Sequence, residues 1–171
     1  MEYIKTLVSR YLFAVFLALF PGLYYLVFTP LTLYLSFLIM KLYYSASLSG
    51  NIITIGVQQL EFIPACTAAS AYLLLSLLIL LTKDISLKKG IALFLYGSAL
   101  ILVANLIRIE ILVIILLEKG INYFETLHLF FWKVLASLYV AFVWILLIKK
   151  YKIKNTPIYS DFVYLRKFIK K

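Results

Sequence analysis

Between Tyr11 and about Ala46 the chain is apolar for roughly 36 residues, broken only by Pro21-Gly22 and Thr29-Pro30. A helix rises ~1.5 Å per residue and a bilayer core is ~30 Å thick, so one spanning helix cannot hold this run. Two helices split near Thr29-Pro30 are expected, because Pro is comfortable at a helix start; Pro21 then falls inside a helix and implies a kink. Further apolar runs follow from Cys66 to about Thr82, from Ile91 to Leu117 and from His128 to Ile148. Hydrophobic residues make up 65% of the chain and charged ones 14%, against ~25% charged in a soluble domain. Mean hydropathy is +1.04. The reading is an all-α polytopic membrane protein, a bundle of about five to six transmembrane helices.

The stretch 47–65, SLSGNIITIGVQQLEFIPA, departs from this pattern. Ile52 to Ile55 is β-branched, Gly56 supplies a turn and the residues after it alternate loosely, so a short β-hairpin-like loop outside the membrane is expected. Residues 118–127 read as a polar loop. The net charge of +10 does not point to nucleic acid, since Lys149, Lys150, Lys152, Lys154, Arg166, Lys167, Lys170 and Lys171 all follow the last apolar run. A basic flank of this kind is the positive-inside signal. Residues 149–171 are therefore expected to be a basic cytoplasmic tail behind a single membrane-embedded helical domain, 1–148. Loop 83–89 also faces the cytoplasm on this reading, and loops 47–65 and 118–127 face outward. Lys5 and Arg10 before the first apolar run resemble the start of a signal peptide; with no small-residue cleavage pattern, a retained span is expected. Two crossings before residue 47 would place those two cations outside, and a single crossing would not; both remain open.

Three polar residues reach one depth on this topology. Cys66 lies ~24 Å from the inner end of its helix, Arg108 ~26 Å and His128 ~30 Å. They are the sole Cys, the sole His and an Arg inside a nearly charge-free run. Each has a plain explanation. A lone membrane Cys is usually a small apolar filler, a lone His at a helix end is usually interfacial, and Arg108 can pair with Glu110 or snorkel outward. Yet an Arg inside a span normally faces the bundle interior and marks function. Asn105, three residues earlier, shares its helical face. Together the three suit acyl transfer: a thiolate nucleophile favoured by a nearby cation, a His that moves its proton, and a guanidinium that stabilises an oxyanion. One His and one Cys are too few for a metal site, and no phosphate-binding Gly-rich loop is present, so no cofactor is expected. Thr67 is expected to bond back to a helix carbonyl. Lys133, beside Trp132, is expected to snorkel to the outer interface.

The ordered set Cys66-Thr67-Ala68, Asn105-Leu106-Ile107-Arg108 and His128 resembles the archaeosortases and exosortases, multi-spanning membrane cysteine transpeptidases. The likeness covers about Gly50 to Ile148, which sets the catalytic core at about 50–148; Ala68 stands where that family usually has Gly. The resemblance implies substrates that are exported proteins with a C-terminal signal of motif, transmembrane helix and basic tail. Cleavage near the motif occurs on the extracytoplasmic side of the cell membrane, and the new C-terminus passes to a lipid or other acceptor. It implies Cys66 as nucleophile, His128 as acid/base and Arg108 as charge stabiliser. The spacing suggests Asn105 as the residue that orients Arg108. Two rivals stand beside this: a non-enzymatic transport or binding subunit that uses Arg108 for an anionic ligand, and a structural membrane protein in which the three residues are unrelated.

Overall fold

A computed structural model describes residues 2–131 and 136–169. Lys133 and Trp132 lie outside the described residues. Helix α1 covers Glu2–Leu19 and α2 Gly22–Tyr43; strands β1 (Ala46–Ser49), β2 (Ile52–Ile55) and β3 (Gln58–Glu61) follow. A short 3-10 helix, Pro64–Thr67, leads into α3 (Ala69–Leu80), and α4 (Leu87–Lys119), α5 (Ile121–Phe130), α6 (Ala136–Lys150) and α7 (Tyr159–Ile169) complete the order. Among the described residues, α2 and α4 are each long and apolar enough to cross a membrane. These two are what stands on its own of the expected five to six spans.

The apolar run 11–46 divides at Pro21, not near Thr29-Pro30 as expected. Pro21, at φ −64°, precedes the first residue of α2, where a missing N–H costs nothing. Leu23 and Tyr24 start the helix by donating to the Phe20 and Pro21 carbonyls at 3.3 and 3.1 Å. Pro30 sits inside α2, a position that spanning helices tolerate when their surroundings re-satisfy the freed backbone.

Side-chain pairs set the helices in register. Tyr24 donates to Ser76 Oγ at 2.7 Å, Phe28 stacks on Tyr72 with centroids 3.6 Å apart, and the Thr29 and Thr67 hydroxyls meet at 2.9 Å. Helices α2 and α3 therefore run antiparallel, and α2 begins level with the last turns of α3. Gly97 of α4 lies against α3 and α6: a Cβ there would stand 2.7 Å from Leu75 Cδ2 and 3.0 Å from Leu147 Cδ1. Small residues at such crossings let helix backbones approach closely. Tyr24, Phe28, Tyr72, Leu75, Ile101 and Leu147 belong to one buried cluster at this level.

Helix α1 does not run the length of this bundle. Arg10, at its middle, donates through Nε to the Leu80 carbonyl at 2.8 Å, and its end joins α2 near the same level. Helix α1 thus stays near that end of the bundle, beside the last turn of α3. The tail is more than a basic flank. Asp161 of α7 is 2% exposed and pairs with Arg10 at 3.0 Å; it also accepts from the Tyr3 hydroxyl. Ile158 N–H donates to the Leu81 carbonyl at 2.8 Å, and Asn155 Nδ2 to Lys83 O at 3.1 Å. Both termini and the 81–84 turn share one end.

The opposite end carries the sheet. Helix α3 spans 12 residues, about 18 Å, whereas α4 spans 33, about 50 Å. The space above α3 is filled by a three-stranded antiparallel meander, β1-β2-β3, in place of the expected hairpin-like loop. Gly50 and Gly56, both at positive φ, open its two-residue turns, as glycine-first hairpin turns require. Ile53, Ile55 and Phe62 bury against Leu33 and Met40 of α2 and Ile109 and Val113 of α4, forming a second cluster. Residues 118–127, expected as a loop, are mostly helical: α4 ends before Gly120, and α5 follows at once and packs back on α4. A Gly just past a Lys-ended apolar run is the helix-stop signal there.

Candidate active site

Between the two apolar clusters lies a polar band, and Cys66 stands in it. Cys66 was expected to begin the third spanning helix. It lies instead in the 3-10 turn that precedes α3, because Ala68 adopts a left-handed conformation, φ 56° and ψ 33°, and separates the two. An L-residue pays roughly 1–2 kcal/mol for that conformation and Gly does not, which gives a backbone reason for the Gly expected after the Cys-Ser/Thr pair. Pro64 starts the turn and Cys66 N–H closes it on the Ile63 carbonyl at 2.9 Å. The thiol is free and half-buried, packed against the sheet-side cluster.

The turn aims the Cys66 carbonyl at α4. Asn105 Nδ2 donates to it at 2.7 Å. Arg108 Nη2 reaches the same carbonyl at 3.5 Å and the Ala65 carbonyl at 3.3 Å. Their spacing of three places both side chains on one face of α4. These carbonyls offset part of the cost of a guanidinium inside an apolar helix. Arg108 neither snorkels nor pairs with Glu110; the one salt bridge among the described residues is Arg10–Asp161. Two polar atoms of the pair are left over: Asn105 Oδ1 and Arg108 Nε are buried with no hydrogen-bond partner.

Thr67 is fully buried and bonds to Thr29 of α2, not to a helix carbonyl, since it belongs to the 3-10 turn. Thr29 is thus a site-supporting residue that the sequence does not single out, since a Thr-Pro dipeptide reads as a helix break. His128 was expected at the head of the last span and instead sits in the last turn of α5. It is half-buried, its ring 5.5 Å from that of Phe124, and it lies within electrostatic range of Arg108. No hydrogen bond joins it to Cys66 or Arg108 among the described residues. The structure therefore brings Cys66, Asn105 and Arg108 into one bonded unit, with His128 on a separate helix and not bonded to it. Among the described residues no group of three His, Cys, Asp or Glu side chains is placed to hold a metal ion.

Below this unit a cavity of about 390 Å³ opens between α3, α4 and α6. Ala68, Ala71, Ala104, Asn105, Arg108 and Phe142 are among the residues that line it. The signal for it was Ile101, Ala104, Asn105, Arg108 and Ile111 at helical spacing. Tyr139 at its edge is fixed by donating to the Leu100 carbonyl at 2.7 Å.

The sequence profile of the transmembrane exosortase family matches residues 1–149. No curated protein and no solved structure matches the chain. With seven-eighths of its length matched, the polar band at the junction of helices and sheet belongs to a member of the transmembrane exosortase family.

Proposed function

We propose that the protein cleaves C-terminal sorting signals of exported proteins through a thioester on Cys66, with Arg108 and His128 completing the site. Membership of the exosortase family supports the general activity, membrane transpeptidation of sorting signals. The observation that carries the residue assignment is the bonded unit of Cys66, Asn105 and Arg108. In this mechanism His128 takes the Cys66 proton and the thiolate attacks the scissile carbonyl. The Arg108 guanidinium, held at the Cys66 turn by the Ala65 and Cys66 carbonyls, stabilises the oxyanion by its charge. Collapse breaks the C–N bond, and His128 returns its proton to the leaving amine. An acceptor hydroxyl or amine then displaces the thiol from the thioester, as membrane lipids with such groups can; its proton restores the thiol. Asn105 holds the Cys66 carbonyl and so fixes the turn beside Arg108.

The sheet end, which on the charge distribution faces outward, suits recognition of the motif. Strand β3 is an edge of the sheet and leads through Phe62 and Ile63 into the Cys66 turn. A motif that adds as a strand to β3 arrives next to the thiol. A photo-crosslinker at Gln59 should then capture residues just upstream of the cleavage point; capture elsewhere only would sink this part. The binding-subunit alternative needs Arg108 alone and leaves the bonded Cys66 turn without a role.

The test is processing of a co-expressed exported protein that carries motif, apolar helix and basic tail. Wild type should shorten it, while Cys66→Ala and Cys66→Ser, inserted at normal levels, should not. Normal processing by Cys66→Ala overturns the mechanism.

A further inference from the structure

Helix α7 is held to the bundle more firmly than a solvated tail requires. Ile158, just before it, takes a left-handed conformation at φ 61°, which a β-branched residue adopts only where its surroundings hold it. Its N–H donates to the Leu81 carbonyl at 2.8 Å. Asn155 Nδ2 donates to Lys83 O at 3.1 Å and to Asp84 Oδ2 at 3.2 Å. Within the helix, Asp161 turns inward to Arg10, and the Tyr164 ring lies 4.0 Å from that of Tyr3. Lys83 Nζ stands over both rings, 4.1 Å from the Tyr164 centroid and 4.9 Å from that of Tyr3. Helix α7 is thus fixed at the level of the 81–84 turn.

The face that α7 turns away from the protein is largely apolar. Tyr159, Phe162 and Arg166 recur at helical spacing and share one side; all three are exposed, Phe162 to 60%. A helix side facing water is normally polar. The charge around this face is one-sided. Residues 149–171 hold eight cations and one acid, and that acid, Asp161, is taken by Arg10. A lysine-bearing turn between two membrane helices marks the inner headgroup level, and α7 is bonded to such a turn, 83–89. The phase at that depth is a layer of lipid headgroups. Two aromatic rings flanked by cations suit a helix lying in that layer, and cations without counter-charge suit an anionic leaflet. We infer that α7 is an interfacial helix whose Tyr159, Phe162 and Arg166 face lies among anionic glycerolipid headgroups of the inner leaflet, with Asp161 as the inward peg that sets its rotation. Lipid then offsets the strain at Ile158, and inner-leaflet charge clamps both ends of the chain to the bundle. The inference goes beyond the proposed reaction and does not depend on it.

The test uses the full-length chain in vesicles with the same lipids in both leaflets, so the direction of insertion does not matter. Phe162→Cys in the Cys66→Ala protein carries a bimane label. The quenchers are phosphatidylglycerol or phosphatidylcholine with a nitroxide high on the acyl chain, each diluted into phosphatidylcholine. Labelled phosphatidylglycerol should quench about fivefold more effectively than labelled phosphatidylcholine, and both better than aqueous iodide. The preference should vanish when Arg166→Glu is combined with Lys154→Glu, and in roughly 1 M salt, where the Debye length is ~3 Å. Arg166→Lys combined with Lys154→Arg keeps the charge and should keep the preference, which separates lost charge from a lost helix. A label at Gln59, on the sheet, should show no preference. Quenching by iodide with both lipids silent puts the face in water. Silence of all three puts a protein or a second copy over it. Equal quenching by both lipids leaves a helix without anion recognition. Each of these overturns the inference. Processing plays no part in the readout, so a failed thioester mechanism leaves the inference standing, and failure of the inference leaves the mechanism untouched.

Discussion

The inner bundle and the sheet end share α2 and α4 yet are built differently. The bundle packs side chains around helix crossings, with Gly97 pressed against Leu75 and Leu147 and Phe28 stacked on Tyr72. The sheet end covers the upper parts of the same helices with a short meander whose Ile53 and Ile55 face Met40, Ile109 and Val113. One buries a few polar pairs such as Tyr24–Ser76 among apolar side chains; the other has a strand edge, Gln58–Glu61, that is largely exposed. Between them Thr29 of α2, Thr67 of the 3-10 turn, and Asn105 and Arg108 of α4 gather polar side chains from three elements around one turn. The difference teaches that α3 is short for a reason. Ending it at Ala69 leaves a step, and the turn on that step carries the thiol.

Breaking the seam at its charge should have the largest effect. Arg108→Lys keeps a cation but loses the planar fork that reaches two carbonyls. Processing should fall about 10²-fold with normal insertion and thermal stability; unchanged rates would remove Arg108 from the chemistry. Gly97→Leu attacks the bundle alone. Overpacking against Leu75 and Leu147 should cost about 2 kcal/mol, read as a lower unfolding midpoint in detergent, whereas an equal midpoint would show that the crossing can relax. Thr67→Val removes the Thr29–Thr67 bond while keeping shape. Leaving Thr29 unpaired should cost about 1 kcal/mol and should lower processing through the Cys66 turn more than Gly97→Leu does at matched stability. Ala68→Gly should go the other way. It relieves the left-handed backbone and should stabilise the protein by about 0.5–1 kcal/mol once glycine's extra unfolded entropy is subtracted; destabilisation would mean that the Ala68 methyl packs usefully.

The sequence disclosed the parts of this fold that depend on hydropathy and spacing. The apolar runs marked α2, α3, α4 and α6, and the three-residue spacing of Asn105 and Arg108 put both on one face. Ile52–Ile55 and Gly56 marked the strand region, but Ala46–Ser49 carries no β-branched residue and its strand was invisible. What was lost depended on tertiary choices. Pro21 and Pro30 are alike to a sequence reader, and only the pairing of Tyr24 with Ser76 and Thr29 with Thr67 decides that the break is at Pro21. The left-handed Ala68 cannot be read from an alanine, so Cys66 was placed in a helix that starts three residues later. The α5 helix hid behind polar residues 118–127, which moved His128 from the head of one helix to the last turn of another. The tail's lysines concealed Asp161, whose pairing with Arg10 docks α7 on the bundle.

The central claim is that Cys66, Arg108 and His128, drawn from a turn and two helices, act as one unit. Its most direct test is a single processing assay of Cys66→Ala, Arg108→Ala, His128→Ala and the triple variant, each checked for insertion. A unit predicts that every single variant loses about as much rate as the triple one, on the order of 10³-fold or more. Losses that add up across the three, or a single variant that processes at the wild-type rate, would contradict it.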